Sequence, residues 1–235
     1  YTSFRRFVSR VILFGKKKNL FVFAAVSLPA WIRKVKRVNK KRCSSVWGAY
    51  HDNMQVSERH RTIAKLLGEL PGAESLFEFG GNAGFFSRVL EKETELKTII
   101  CSDYDSNAVD KNYLSLKRNK DSRVIVAMLD FSYNLESTNI APVAERIKAD
   151  IVCYLALTHH LFHTEALPPD FVFNRLASHS NKYVAVEFMP LGLYAPKYNN
   201  SLTLPEWYNE EWFAAEFRKV FKIISVTQLE KNRIL

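Results

Sequence analysis

The run Leu76-Phe-Glu-Phe-Gly-Gly-Asn-Ala-Gly-Phe-Phe-Ser87, followed by Ile99-Ile-Cys-Ser-Asp-Tyr-Asp105, constrains this chain more than any other feature. The first run is apolar up to Glu78, turns through glycines and reopens on apolar residues. That is the pattern of a strand feeding a tight loop and a helix N-terminus, where backbone N–H groups can meet a ligand. The second run is a strand that stops at carboxylates, in the place a ribose would occupy. Together they predict an α/β domain with its crevice at the carboxyl ends of parallel strands.

The rest of the chain continues the alternation. Strands are expected at 75–79, 97–102, 123–128, 150–156, 182–188, 222–229 and 232–235, with helices between most of them, such as 106–117 and 209–220. Ser57-Glu-Arg-His-Arg-Thr-Ile-Ala-Lys-Leu-Leu reads as a capped helix that stops by Pro71-Gly72. The last two strands have only Glu230 and Lys231 between them, which permits a hairpin and forbids a parallel crossover.

A dinucleotide fingerprint would need glycine at the positions held by Gly80, Asn82 and Phe85, and two of the three fail. The acid-x-Gly-x-x-x-Gly spacing of Glu78, Gly80 and Gly84 instead resembles motif I of class I S-adenosylmethionine-dependent methyltransferases. The order Trp47…Tyr50, motif I, Asp103-x-Asp105, Asp130, Ala156-Leu-Thr-His-His-Leu161 and Val186-Glu-Phe-Met-Pro190 is similar to a bacterial group that includes nodulation-protein NoeA-like sequences. The likeness covers about residues 45–235. It implies a Rossmann-like, mostly parallel seven-stranded sheet with an antiparallel strand near one edge.

The resemblance implies S-adenosylmethionine as cofactor and assigns residues to it. Glu78 would act near the cationic end of the ligand, while Gly80 and Gly81 let the backbone approach and Asn82 and Gly84 complete the cofactor-binding loop. Asp103 would accept from the ribose hydroxyls, with Asp105 as a rival better suited to capping the next helix. Asp130 would receive the adenine amino group and Phe131 flank its ring, with Tyr104 and Leu157 completing the set. His159, His160 and Glu187, at the ends of the fourth and fifth strands, are the candidates for a base or for placing the acceptor. A metal held by His159, His160, His163 and Glu165 is disfavoured, because adjacent histidines point apart; no metal is expected.

Absent motifs narrow the acceptor. Neither the Asn/Asp-Pro-Pro-Tyr/Phe signature of nitrogen methylation on nucleobases and amides nor a cysteine pair for pyrimidine C5 chemistry is present. The expected reaction is methyl transfer to an oxygen or amine of a small-molecule, glycan or lipid-linked acceptor. The alternatives are an RNA methyltransferase and a non-catalytic cofactor-binding scaffold. Cys43, Cys101 and Cys153 are too scattered for a disulfide framework.

Charge is divided unevenly. Residues 1–42 hold 13 Lys or Arg and no acid, leaving 21 basic against 24 acidic side chains in the rest of a chain whose net charge is +10. Residues 1–44 therefore read as a basic, partly helical arm before a methyltransferase domain over 45–235. Phe4, Phe7, Val8, Val11 and Phe14 fall at helical spacing among arginines. The apolar run at 20–26 is too short for the ~20 residues of a membrane helix. Lid, anionic membrane surface and nucleic acid remain as readings of the arm, nucleic acid the least favoured. The expected location is cytoplasmic, with peripheral membrane attachment as a variant. A chain that opens on Tyr1 rather than Met is expected to be a piece or a processed product.

Overall fold

Contacts divide the chain into Tyr1–Ser44 and Ser45–Leu235, and the computed structural model describes residues 54–119, 121–133, 141–192 and 204–235. The basic arm with the amphipathic helix expected in it, Cys43, Trp47 and Tyr50 lie outside the described residues.

Helix α1, Glu58–Gly68, starts where the sequence places its cap: Ser57 precedes it, and the Ser57 backbone N–H donates to His60 Nδ1 at 3.1 Å. There follow β1 (Ser75–Phe79), α2 (Phe85–Glu93), β2 (Thr98–Asp103), α3 (Ser106–Leu116), β3 (Val124–Met128), the short α4 (Val143–Arg146) and β4 (Ala149–Tyr154). A π-helical turn at His160–Thr164 leads to α5 (Pro169–His179) and β5 (Ser180–Val186), then α6 (Glu210–Arg218), β6 (Gln228–Glu230) and β7 (Arg233–Ile234).

The first five strands form one parallel sheet in the order β3-β2-β1-β4-β5. The register aligns Glu78 with Cys101 on one side and Cys153 on the other, and Cys153 with Ala185. Side chains alternate across a strand, so Leu76, Glu78, Ile99, Cys101, Asp103, Ile151, Cys153, Ala185 and Glu187 share a face. Its apolar members pack on Ile63, Ala64 and Leu67 of α1 and on Phe86, Val89 and Leu90 of α2. The opposite face, with Phe77, Phe79, Val152, Tyr154, Val186 and Phe188, is covered by Val172, Phe173 and Leu176 of α5 and by aromatic residues of α6. Both faces of β1, β2 and β4 are buried, which is why these central strands read as apolar runs. Cys101 and Cys153 are buried free thiols, pushed up by burial.

The expected continuous seven-stranded sheet is corrected to five strands plus a separate antiparallel pair, β6 with β7. The pair reaches the main sheet at one point, where Phe188 and Ile234 exchange backbone hydrogen bonds of 2.8 and 3.0 Å. Of the strand expected at 222–229, only the start of Gln228–Glu230 takes strand structure. The backbone pairing continues one residue further, where Thr227 and Leu235 exchange hydrogen bonds of 2.8 and 2.9 Å, and before it Ile224 and Val226 are left exposed. The fourth strand stops at Tyr154 rather than 156 because Ala156 takes a left-handed φ of +55°.

Candidate functional site

At the carboxyl end of β1 the chain turns through Gly80 (φ +65°), Asn82 (φ +48°) and Gly84 (φ +74°) into α2. Asn82, which spoils a dinucleotide fingerprint, satisfies this loop because asparagine tolerates the left-handed region. The glycines are required first by the protein itself. A Cβ on Gly80 would run into the Leu157 side chain, one on Gly81 into Cys101 and Glu78, and one on Gly84 into the Asn112 amide. The sequence-based reason, collision with a ligand, is therefore supplemented by collisions inside the fold. Arg88 ties the loop to α3 by donating to the Ala83 carbonyl at 2.8 Å and to Asn112 Oδ1 at 3.3 Å.

Two carboxylates flank this loop. Glu78 is buried and accepts from the Ser87 hydroxyl; burial raises its carboxyl to about 7, against the lowering effect of that hydrogen bond. Asp103 is buried at the end of β2 and binds two backbone amides, Asn82 N–H to Oδ2 at 2.8 Å and Asp105 N–H to Oδ1 at 2.9 Å. Burial nevertheless shifts its carboxyl upward. Asp105 caps α3, accepting from Asn107 N–H at 3.0 Å through Oδ1, as its position before Ser106 predicts.

Tyr104 projects outward beside them, 59% exposed. Partial burial, then the carboxylates of Asp103, Asp105, Glu165 and Asp130, raise its phenol. Four acids thus bring negative charge to the neighbourhood of one exposed ring. Asp130 is exposed and accepts from Ser132 N–H at 2.9 Å, and the Ser132 hydroxyl donates to Glu165. Phe131 differs from expectation. It is buried, its ring centroid 5.1 Å from those of Phe79 and Tyr154, with the Arg175 guanidinium 5.9 Å over its face. It supports the sheet underneath Asp130, since the chain must turn an apolar side inward where β3 ends. Leu157 lies directly over Gly80.

Beyond β4 stand the histidines. His159 is 5% exposed and neither ring nitrogen has a hydrogen-bond partner. Burial, with the neighbouring His160, Arg233 and His163, lowers its imidazole to about 3, so it is neutral at every physiological pH. The His160 ring centroid is 4.1 Å from it; burial lowers that imidazole too, with Glu165 opposing.

Glu187 is completely buried and already paired. Arg59 donates from Nε at 2.6 Å and from Nη2 at 2.7 Å, and Arg233 from Nη1 at 2.8 Å. Its backbone carbonyl accepts from the Thr158 hydroxyl at 3.1 Å. These contacts make Glu187 a fastener between α1, β7 and the histidine segment. Sequence reasoning missed both arginines: Arg59 sits in the solvent-like pattern of a capped helix, and Arg233 lies in a hairpin 46 residues from its partner. Ser87 could have been found, as a small polar residue in the first turn of an otherwise apolar helix start.

An apolar cavity of about 190 Å³ lies elsewhere, between the outer edge of β5, α6 and residues 222–227, with Leu66, Tyr183, Phe217 and Ile224 in its walls. None of the residues expected to bind cofactor or acceptor lines it. Among the described residues no cluster of His, Cys, Asp and Glu has the makings of a metal site, and no helix is long and apolar enough to cross a membrane.

No protein-family model matches this chain, and no curated protein matches its sequence. Solved structures share its fold. It is similar to EvdMO1, with 14% identity over 86% of this chain and 45% of that one, at a TM-score of 0.51. It is also similar to phosphoethanolamine N-methyltransferase 2 of Haemonchus contortus, solved with S-adenosyl-L-methionine, with 18% identity over 72% and 38% of the two chains and a TM-score of 0.50. A third is the magnesium protoporphyrin IX methyltransferase of Synechocystis PCC 6803 with bound S-adenosylmethionine, with 16% identity over 85% and 93% and a TM-score of 0.50. The chain spans less than half the length of the first two. At these identities the likeness is one of architecture: residues 54–235 have the Rossmann-like fold of the S-adenosylmethionine-dependent methyltransferases.

Proposed function

We propose that this chain is an S-adenosylmethionine-dependent methyltransferase acting on an oxygen or amine of a small-molecule, glycan or lipid-linked acceptor, with its motif order placing it near the NoeA-like group. The observation that carries the reading is the pair of loop-flanking carboxylates, Glu78 held by the Ser87 hydroxyl and Asp103 held to the glycine turn by the Asn82 N–H. Asp103 keeps lone pairs beyond its two amide bonds for the ribose hydroxyls. Glu78, with Gly80, Gly81, Asn82 and Gly84, faces the aminoacyl end; Tyr104 and Asp130 form the outer wall, and Phe131 and Leu157 hold that wall and the loop from behind.

The bound cofactor supplies an activated methyl group, so the protein's share is mainly alignment and exclusion of water. A hydroxyl acceptor must also lose a proton. His160, half-buried and opposed by Glu165, is better placed to take it than His159, which resists protonation down to about 3. Glu187 holds the segment that carries both.

Calorimetry with S-adenosylhomocysteine tests the site. Gly80→Val and Asp103→Ala should each weaken binding strongly in folded protein, the first by displacing Leu157 and the loop; unchanged affinity in both overturns the assignment. For residues 1–42, we propose contact with an anionic membrane surface, supported by their 13 basic and no acidic residues. Removing them should abolish sedimentation with anionic vesicles and leave cofactor affinity unchanged. Salt-dependent RNA binding in place of vesicle binding would favour the RNA alternative.

A further inference from the structure

The segment between β4 and α5 concentrates irregular geometry. Ala156 and Ala166 take left-handed φ values of +55° and +51°, and between them lies the π-helical turn His160–Thr164. Left-handed non-glycine residues and π-turns each cost free energy and gather at functional sites. The same segment holds buried polar atoms without partners: both ring nitrogens of His159, and Nε2 of His163. Buried polar groups are almost always paired, so such a group in one place calls for a partner from outside the chain.

The facing wall is aromatic. The Tyr208 ring centroid is 4.1 Å from that of His163, and its hydroxyl, beside Thr158, makes no hydrogen bond of good geometry. Trp207 lies 6.0 Å from the His163 ring, is braced by Trp212 at 4.6 Å, and is 47% exposed.

We propose that His159, His163 and Tyr208, with Trp207 at the open rim, form a subsite for an uncharged, hydroxyl-bearing acceptor of polyol-ring chemistry. This rests on the methyltransferase reading and narrows its acceptor. A neutral imidazole offers one donor and one acceptor, the complement of a hydroxyl, which is also both. An indole face covers the C–H face of a saturated ring. The nearby charges are already engaged, Arg59 with Glu187, Arg233 with Glu187 and Glu230, and Glu165 with Ser132. A phosphate finds no unengaged cation among these residues, and the two unpartnered imidazoles themselves offer an ammonium no negative charge.

The test is a nuclear magnetic resonance titration of ¹⁵N-histidine protein saturated with S-adenosylhomocysteine, using His159→Asn to assign the ring signals. The probes are methyl α-D-glucopyranoside and myo-inositol, with ethanolamine and inorganic phosphate as charged controls. The polyols should shift the His159 and His163 ring nitrogens, and Trp207→Ala should weaken that response about tenfold, the worth of a well-packed aromatic contact. Because Trp207 is half exposed, its loss leaves the fold intact. No response to either polyol, or a response to ethanolamine or phosphate instead, overturns the proposal. Failure to bind S-adenosylhomocysteine would count against the methyltransferase reading, and the polyol titration of the cofactor-free protein would then decide the subsite by itself.

Discussion

The two halves of the sheet bury carboxylates on the same face by opposite means. In the β1–β2 half, Glu78 is held by a raised affinity for its proton and a serine hydroxyl, and Asp103 by two backbone amides. In the β4–β5 half, Glu187 is held by two arginines. A carboxylate in low dielectric must find protons, N–H groups or counter-ions. The first half uses partners that leave room for a visiting ligand to compete. The second half is locked before any ligand arrives, and the orphaned atoms beside it belong to neutral histidines.

The largest effect should come from unlocking the second half. Glu187→Leu leaves the guanidiniums of Arg59 and Arg233 without their shared partner, at a cost of about 3–5 kcal/mol in denaturant unfolding. Arg59→Met should be milder, because Arg233 still meets Glu187. In either variant that remains folded, affinity for S-adenosylhomocysteine should stay within about twofold, since distant sites are nearly independent. Equal loss of cofactor affinity would break the division between the halves.

The proton on Glu78 gives the first half a pH signature. Its folded carboxyl sits at about 7 against an ordinary value of 4.5, so the folded state binds the proton more tightly. That contribution is complete below about pH 4.5, falls as pH rises, and is gone above about 7, roughly 3 kcal/mol in all. Glu78→Gln should remove this slope from the stability–pH profile. His159 works the other way: its lowered imidazole contributes above its ordinary value of 6.5, and the contribution fades as pH falls toward about 3. The difference between wild type and Glu78→Gln isolates the carboxyl; a pH-independent difference would mean that folding does not raise the proton affinity of Glu78.

This asymmetry also explains what the sequence made legible. The β1–β2 half was readable because its parts are local: Glu78, the glycines and Ser87 lie within ten residues, and Asp103 ends the next strand. Asp105 as a helix cap follows from one residue type at one position. The partners of Glu187 come from 128 residues upstream and 46 downstream, and no periodicity links them. The core contacts of Phe131 were not legible, because its neighbour Asp130 marks a loop while the aromatic closes the core beneath it. The sixth strand was read as too long because apolar alternation at 222–229 reports a tendency to extend, while a ladder also needs a facing strand.

A smaller effect separates the cofactor role of Asp103 from its structural one. Asp103→Asn keeps the shape but weakens its charge-assisted bonds to the Asn82 and Asp105 amides and to ribose hydroxyls, each worth about 1.5–3 kcal/mol when the acceptor is ionised. Calorimetry should show S-adenosylhomocysteine affinity reduced by about ten- to a hundredfold, with a smaller loss of stability. A stability loss with unchanged affinity would assign Asp103 to loop fixation alone.

The smallest expected effect is the most specific to the first half. Ser87 is fully buried and its hydroxyl donates to Glu78 Oε2, the interaction that most lowers a carboxyl otherwise raised by burial. Ser87→Ala removes that donor without changing the packing volume much. The protonated carboxyl can keep its own proton, so the cost should be only about 1 kcal/mol near pH 5. Above pH 7 the ionised carboxylate has lost its stabilising donor, and the cost should grow. A ¹³C-carboxyl titration should therefore place the Glu78 midpoint higher in Ser87→Ala than in wild type. A midpoint that stays put or falls would show that the hydroxyl is not what restrains Glu78, and that the β1–β2 half balances its buried acid through the loop backbone instead.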